Sequence, residues 1–277
     1  MRYHGGKYRL APWVISHFPA HRVYVEPYGG AGSVLMRKPR SYAEVYNDLD
    51  GDVVNVFRVL RDPAAAAELV RLLELTPWSR REFYDSYEPA SDPVERARRT
   101  LVRSFMGFGT TSRRPGRTGF RAKAYRNSGT GMRDWATYPA AIGAFVERLQ
   151  GVTIEEAPAL KVIGQQDGPD TLFYVDPPYP QSTRSSIRWM SDIERAYQVD
   201  MTDDDHRALA EVLRACEGMV VLSGYGCPLY DDELYPDWRR VETVTQADGG
   251  LPRTEMLWLS PAAAAGQREL SLFGLGR

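Results

Sequence analysis

The chain has few of the residues that cross-link or chelate. Of its 277 residues, two are cysteine, Cys216 and Cys227, and four are histidine. Two thiols at this spacing build neither a disulfide framework nor a zinc site, so the expectation is buried or idle thiols in a reducing cytoplasm and no metal. It also lacks any run of about eighteen apolar residues, which excludes a membrane-spanning helix. Arg2, His4, Lys7 and Arg9 are followed by no apolar stretch of the export type, so a cytoplasmic location is expected. Net charge is nearly absent, at −1, and a hydrophobic content of 43% is ordinary for a globular chain. That length accommodates one large domain or a domain carrying an insert.

Charge is present, but unevenly placed. Between Arg96 and Trp135 stand eleven basic residues against one acid, Asp134. The remaining 24 basic and 35 acidic residues leave the rest of the chain eleven charges negative. A basic block in an acidic protein is the footprint of a polyanion partner. Within it, 107 to 131 is rich in Gly, Arg, Ser and Thr without clear periodicity, as functional segments inside compact proteins often are. Arg113, Arg114, Arg117, Arg121, Lys123 and Arg126 can bind phosphates, and Tyr125, Arg126 and Asn127 are suited to base edges. The composition shift bounds an inserted target-recognition region at 61–148.

The apolar run Leu172-Phe173-Tyr174-Val175 ends abruptly at Asp176-Pro177-Pro178-Tyr179. β-Branched and aromatic residues stopped by Pro-Pro read as a buried strand, since proline cannot donate to a sheet ladder. The carboxyl edge of such a strand is where open α/β sheets bind ligands. A carboxylate, free carbonyls and an aromatic ring at that edge suit methyl transfer to an exocyclic amine. Two acceptors, the Asp176 carboxylate and the Pro177 carbonyl, would localise the amine's lone pair and stabilise the positive charge that develops. Tyr179 can stack on a base turned out of a duplex.

Further signals place this tetrapeptide in an α/β sheet. Val23-Tyr24-Val25 reads as a strand, and Glu26 to Ser33 as a glycine-rich turn opening a helix, with Gly29, Gly30 and Gly32 permitting close approach of a ligand. Tyr42 to Tyr46 reads as a second strand ending in Asn47-Asp48. An acid there hydrogen-bonds a ribose diol in nicotinamide and methionine-cofactor folds alike, so Asp48 marks an adenosine-type ligand without choosing between them. Helices are expected over 10–18, 52–60, 64–75, 95–108 and 137–149. Strands are expected at 152–154 and 219–222, and an antiparallel hairpin at 240–245 and 255–259. Thr202 and Asp205 form a capping-box pattern for another helix, on which His206 reads as a surface or interface residue.

Together with Tyr3-His4-Gly5-Gly6-Lys7, Glu26-Pro27-Tyr28-Gly29-Gly30-Ala31-Gly32, Asn47-Asp48 and Arg253-Thr254-Glu255-Met256-Leu257-Trp258, the tetrapeptide resembles the Dam-type, D12-class DNA adenine-N6 methyltransferases. The order also matches their alpha group: cofactor motif, recognition insert, catalytic tetrapeptide. The resemblance implies an α/β fold of class I S-adenosylmethionine-dependent type, a Rossmann-like seven-stranded sheet with a mostly helical insert. It divides the chain into a catalytic domain (1–60 and 149–262), the insert, and a tail (263–277).

The resemblance further implies S-adenosylmethionine held by Tyr3, Lys7, Glu26, Pro27, Gly29, Gly30, Gly32, Asp48 and Asp176, and catalysis by Asp176, Pro177, Pro178 and Tyr179 on a flipped adenine in double-stranded DNA. Where the family often has an acid after the strand at 152–154, Ala157-Pro158 stands here, leaving Glu155 or Glu156 as substitutes. Residues 181–197 read as a loop able to fold over the base. Glu269-Leu270-Ser271-Leu272-Phe273 resembles peptides that dock on bacterial sliding clamps, the alternative being a packed or unstructured terminus. A monomeric bacterial or phage enzyme, in restriction-modification or another role, is the expectation. Cytosine-N4 or RNA methylation, or a catalytically inactive DNA-binding module, are the rival readings.

Overall fold

Apolar, β-branched and aromatic runs become the strands of one sheet in the computed structural model, which describes residues 7–107, 119–122, 130–183, 201–246 and 252–272. In chain order, α1 (Ala11–Ile15) is followed by β1 (Val23–Glu26) and β2 (Ala43–Asn47). Helices α2 (Gly51–Arg61), α3 (Pro63–Leu75), α4 (Arg80–Asp85), α5 (Pro93–Met106) and α6 (Thr130–Leu149) come next. Then come β3 (Val152–Glu155), α7 (Ala159–Gln166), β4 (Thr171–Val175), α8 (Asp203–Ala215), β5 (Met219–Gly224), β6 (Arg239–Gln246), β7 (Pro252–Leu259) and α9 (Pro261–Leu272).

The seven strands are ordered β3-β2-β1-β4-β5-β7-β6. β2, β1, β4 and β5 pair in parallel, whereas β7 runs antiparallel to both β5 and β6. The expected seven-stranded sheet with its terminal hairpin is therefore present. β1 and β4 are neighbours, and the chain leaves β1 for β2 on one side and reaches β4 and β5 on the other. That reversal of order opens a crevice at the carboxyl ends of the two central strands. All five residues of β4 are buried, so the tetrapeptide begins where a strand covered on both faces meets the sheet edge.

Packing divides the chain into two compact units, one spanning Asp50–Glu156 and the other holding Lys7–Leu49 with the described residues from Ala157 onward. In the second unit Val25, Phe173, Val175, Val220 and Leu222 of the sheet pack with Leu209, Leu213, Tyr230 and Trp258. In the first, Phe105 of α5 meets Trp135 and Tyr138 of α6 at ring-centroid distances of 5.5 and 4.9 Å. The boundaries 61 and 148 read from composition fall inside this unit.

The basic helix α5 spends its charge locally. Arg96 and Arg103 pair with Asp52 at 2.6 and 3.0 Å, while Arg98 and Arg99 pair with Glu95 at 2.6 and 2.7 Å, and Arg98 also with Glu82 at 2.9 Å. These four arginines of the basic block are thus held by carboxylates of their own unit.

Some elements differ from the sequence reading. No helix follows the glycine turn; residues 30–37 remain a series of turns. Gly30 and Gly32 have φ of 50° and 60°, where a right-handed helix cannot run, and the Leu35 N–H donates to Glu26 Oε1 at 2.7 Å instead of to a helical carbonyl. Helix α6 starts at Thr130 rather than 137, with Pro139 in its interior. The burial of Trp135, Tyr138 and Ile142 on one face outweighs the lost proline hydrogen bond. Helix α7 had no expectation at all. His206 is not at the surface: it is fully buried on the stripe shared with Leu209, Ala210 and Leu213, with Nδ1 3.0 Å from the Tyr230 hydroxyl. Helix α9 carries the chain as far as Leu272. The first residues of the expected tail thus lie in a helix, where Ala263 is buried and a Cβ on Gly266 would meet Pro19 at 2.9 Å.

Candidate active site

Asp176 leaves the end of β4 with its carboxylate mostly enclosed, the side chain retaining 18% exposure. Its Oδ1 accepts from the Tyr179 hydroxyl at 2.9 Å and lies 3.7 Å from the Lys7 ammonium. Lys7 itself donates to the Tyr179 hydroxyl and, at 2.9 Å, to Glu255 Oε2 on β7. The other oxygen of Glu255 accepts from the Tyr225 hydroxyl at 2.8 Å, and the Tyr225 ring stands edge-on to Tyr179 with centroids 4.7 Å apart. The end of β4, the middle of β7, the loop after β5 and the segment before α1 thus converge on one largely buried cluster of a cation, two carboxylates and two phenols.

The charges govern one another. Burial works against the Lys7 ammonium, but Asp176 and Glu255 outweigh it and hold its pKa well above the usual lysine range. Burial raises the Asp176 pKa; Lys7 and the Tyr179 hydrogen bond pull the other way without cancelling it. Pro177 and Tyr179 are both buried against the same edge.

The glycine turn adjoins this cluster along the sheet edge. Glu26 ends β1 with Oε1 accepting from the Tyr24 hydroxyl at 2.5 Å and the Leu35 N–H at 2.7 Å. Removed from water, its carboxyl is pushed up to about 7. A Cβ on Gly29 would lie 2.1 Å from the Tyr46 ring, so only glycine lets the turn pass that strand. Tyr46 then donates to the Gly30 carbonyl at 2.6 Å, and the Gly30 N–H donates to Asp48 Oδ2 at 2.8 Å. The Asn47 amide is fully buried; it donates to the carbonyls of Pro27 at 2.8 Å and Ala157 at 3.0 Å, and accepts from the Ala157 N–H at 3.0 Å.

The structure thus gathers Asp176, Pro177, Pro178, Tyr179 and Lys7 at one edge, and Glu26, Pro27, Gly29, Gly30, Gly32 and Asp48 beside the neighbouring strands. Lys7, expected among the cofactor contacts, meets the tetrapeptide directly. Glu156, one of the two substitutes for the absent acid, pairs with Arg58 at 3.3 Å. Of the expected DNA contacts only Arg121 is described, and its Nε donates to the Gly107 carbonyl at 2.6 Å. Tyr3, Arg113, Arg114, Arg117, Lys123, Arg126, Asn127 and the loop from 184 to 197 lie outside the described residues. So does Phe273 of the clamp-like peptide.

Residues 3–238 match the family described as D12 class N6 adenine-specific DNA methyltransferase. The chain belongs to that family. Two proteins named DNA adenine methylase, from two strains of Vibrio cholerae serotype O1, are each 26% identical to it over 220 residues, 76% of this chain and 74% of theirs. As a D12 methyltransferase it is an adenine-specific enzyme acting on DNA, and its seven-stranded sheet is of the class I methyltransferase kind. Among the described residues no helix is long and apolar enough to cross a membrane.

Three residues of this D12 site had no assigned role in the sequence. Glu255 was visible only as part of a strand, Tyr225 as a residue just past the end of one, and Asn47 as a neighbour of Asp48. Asn47 and Tyr225 lie at strand ends and Glu255 inside β7 beside the end of β5, and which of these become neighbours depends on sheet order, a long-range property.

Proposed function

We propose that this enzyme moves the methyl group of S-adenosylmethionine to N6 of an adenine turned out of duplex DNA, with the Asp176 carboxylate and the Pro177 carbonyl as acceptors for the two amine N–H groups. The observation that carries the reading is the enclosed Asp176 at the end of the central buried strand, held by Lys7 and Tyr179. A carboxylate has about four lone-pair sites, so Oδ1 can keep the Tyr179 hydrogen bond while the carboxylate receives the amine. In that enclosure the acceptors are aligned before reaction begins and act at a low effective dielectric.

The residues beside β1 and β2 fit the cofactor. The glycine turn packs directly on the Tyr46 ring, which glycine at position 29 permits, and Asp48 stands at the end of β2 where a ribose diol is recognised. Gly29, Gly30, Gly32 and Asp48 would hold it, with Glu26 and Pro27 fixing the turn and Asn47 joining it to the Ala157 loop. When bound, the cofactor supplies an electrophilic methyl group. The chain's own part is to hold the amine in line, localise its lone pair and screen the developing positive charge. Tyr179 would stack on the base, and region 61–148 would provide the DNA contacts, its phosphate ligands being Arg113, Arg114, Arg117, Arg121, Lys123 and Arg126.

The test follows labelled methyl transfer to mixed-sequence duplex DNA, then nucleoside digestion, for wild type and Asp176→Ala in parallel. Label is expected as N6-methyladenine, with the variant slowed by at least about a hundredfold and its DNA binding retained. A variant slowed less than tenfold would remove Asp176 from the centre of the mechanism.

A further inference from the structure

We infer that Glu255 is a positioning residue for methyl transfer, whose task is to occupy the charge of Lys7 so that the ammonium does not cancel the charge that Asp176 offers the amine. This rests on the reading of Asp176 as the amine's acceptor. The geometry carries the inference. Lys7 sits between two carboxylates but closer to one of them, 2.9 Å from Glu255 Oε2 and 3.7 Å from Asp176 Oδ1. Glu255 is in turn fixed by the Tyr225 hydroxyl at 2.8 Å, and Arg253 donates to that same phenol oxygen at 3.2 Å. The side chain of Glu255 is 11% exposed, so its effect on Lys7 is little screened by water.

The charge count explains why this matters. One ammonium and two carboxylates leave the enclosure one charge negative, matched to an amine that becomes cationic as its new N–C bond forms and the methyl–sulfur bond breaks. Without Glu255 the ammonium and Asp176 would neutralise one another, and the acceptor would lose the field that favours the developing cation. Lys7 alone would then be a hindrance; paired with Glu255 it orients Tyr179 and Asp176 without cancelling the charge. The groups facing Asp176 are Lys7, Tyr179 and Glu255, with Tyr174 of β4, Glu26 of β1 and Tyr230 farther out. Among them, the charge of Glu255 acts to raise the Asp176 pKa, while Lys7 acts to lower it.

The experiment compares wild type, Glu255→Gln, Lys7→Met and the double variant in steady-state methyl transfer to duplex DNA at saturating S-adenosylmethionine, with thermal unfolding to verify folding and Asp176→Asn alongside. Glu255→Gln is expected to lower kcat by about tenfold or more while KM for DNA stays within roughly threefold. The acid limb of its kcat profile should move to lower pH, because the repulsion that disfavours ionised Asp176 is gone. In the Lys7→Met background, adding Glu255→Gln should change kcat by no more than about threefold, because the charge that Glu255 occupies is already gone. Losses that simply multiply in the double variant, or an unmoved acid limb, overturn the inference and leave Glu255 a structural residue. Should Glu255→Gln fail to fold, Lys7→Met against the double variant decides, and a further tenfold drop there overturns it. Activity in Asp176→Asn would instead sink the underlying reading of Asp176.

Discussion

Glu26 illustrates how much a single position at a strand end depends on its surroundings. The motif assigns it to the cofactor turn, and the structure makes it the group that ties the turn together, through Leu35 N–H and the Tyr24 hydroxyl. Burial raises its pKa from 4.5 to about 7. The folded protein therefore binds a proton here that the unfolded chain releases above about 4.5. Its protonation supports the fold fully below that pH, and the support is lost as pH rises toward 7, an effect of about 3 kcal/mol across the window. Denaturant unfolding of Glu26→Gln at several pH values is expected to lack that fall. A stability curve with the same slope as wild type would assign it to another group.

At the scale of elements, local chemistry and tertiary packing divide the work. Helix α8 starts where Thr202 and Asp205 form both halves of a capping box, a pattern readable from four consecutive residues. Thr202→Ala should lower stability by about 1 kcal/mol, seen as an earlier unfolding midpoint, with no change in DNA affinity. Helices α3 and α5 likewise begin at Asp-Pro steps, where the aspartate caps and the proline occupies the first turn. Helix α6 obeys no such local rule. Its first turns exist because Trp135 buries against Phe105 and donates to the Thr76 carbonyl at 3.0 Å, partners far away in the chain.

For the whole molecule, part of the basic block is neutralised by carboxylates of its own unit. The arginines on α5 are spent on Asp52, Glu82 and Glu95, and Arg103 is buried while its partner Asp52 stays partly exposed and is shared with Arg96. Arg103→Ala is expected to cost about 1–3 kcal/mol of stability, through its lost hydrogen bonds and packing, while leaving the salt dependence of DNA binding intact. Arg113→Ala or Arg117→Ala should instead weaken DNA binding and flatten its salt slope by about one for each phosphate no longer neutralised. Equal effects of the two sets on the slope would return α5 to the DNA surface. Counting charge along the chain could not make this distinction, because pairing is decided in space.

By itself the sequence determined the sheet's strands, the terminal hairpin, the capped helices and the tetrapeptide. Each of these is written in neighbouring residues: periodicity, a cap, or a proline that stops a ladder. It also placed Asp48 and the glycines, since a turn needing positive φ or close approach leaves glycine no substitute. Only the tertiary structure decided that Lys7 meets Asp176 and Tyr179, that Glu255 stands between Lys7 and Tyr225, and that His206 is core. Those facts depend on which strands and helices become neighbours, and strand order is settled by burying the whole sheet at once rather than by any stretch of it.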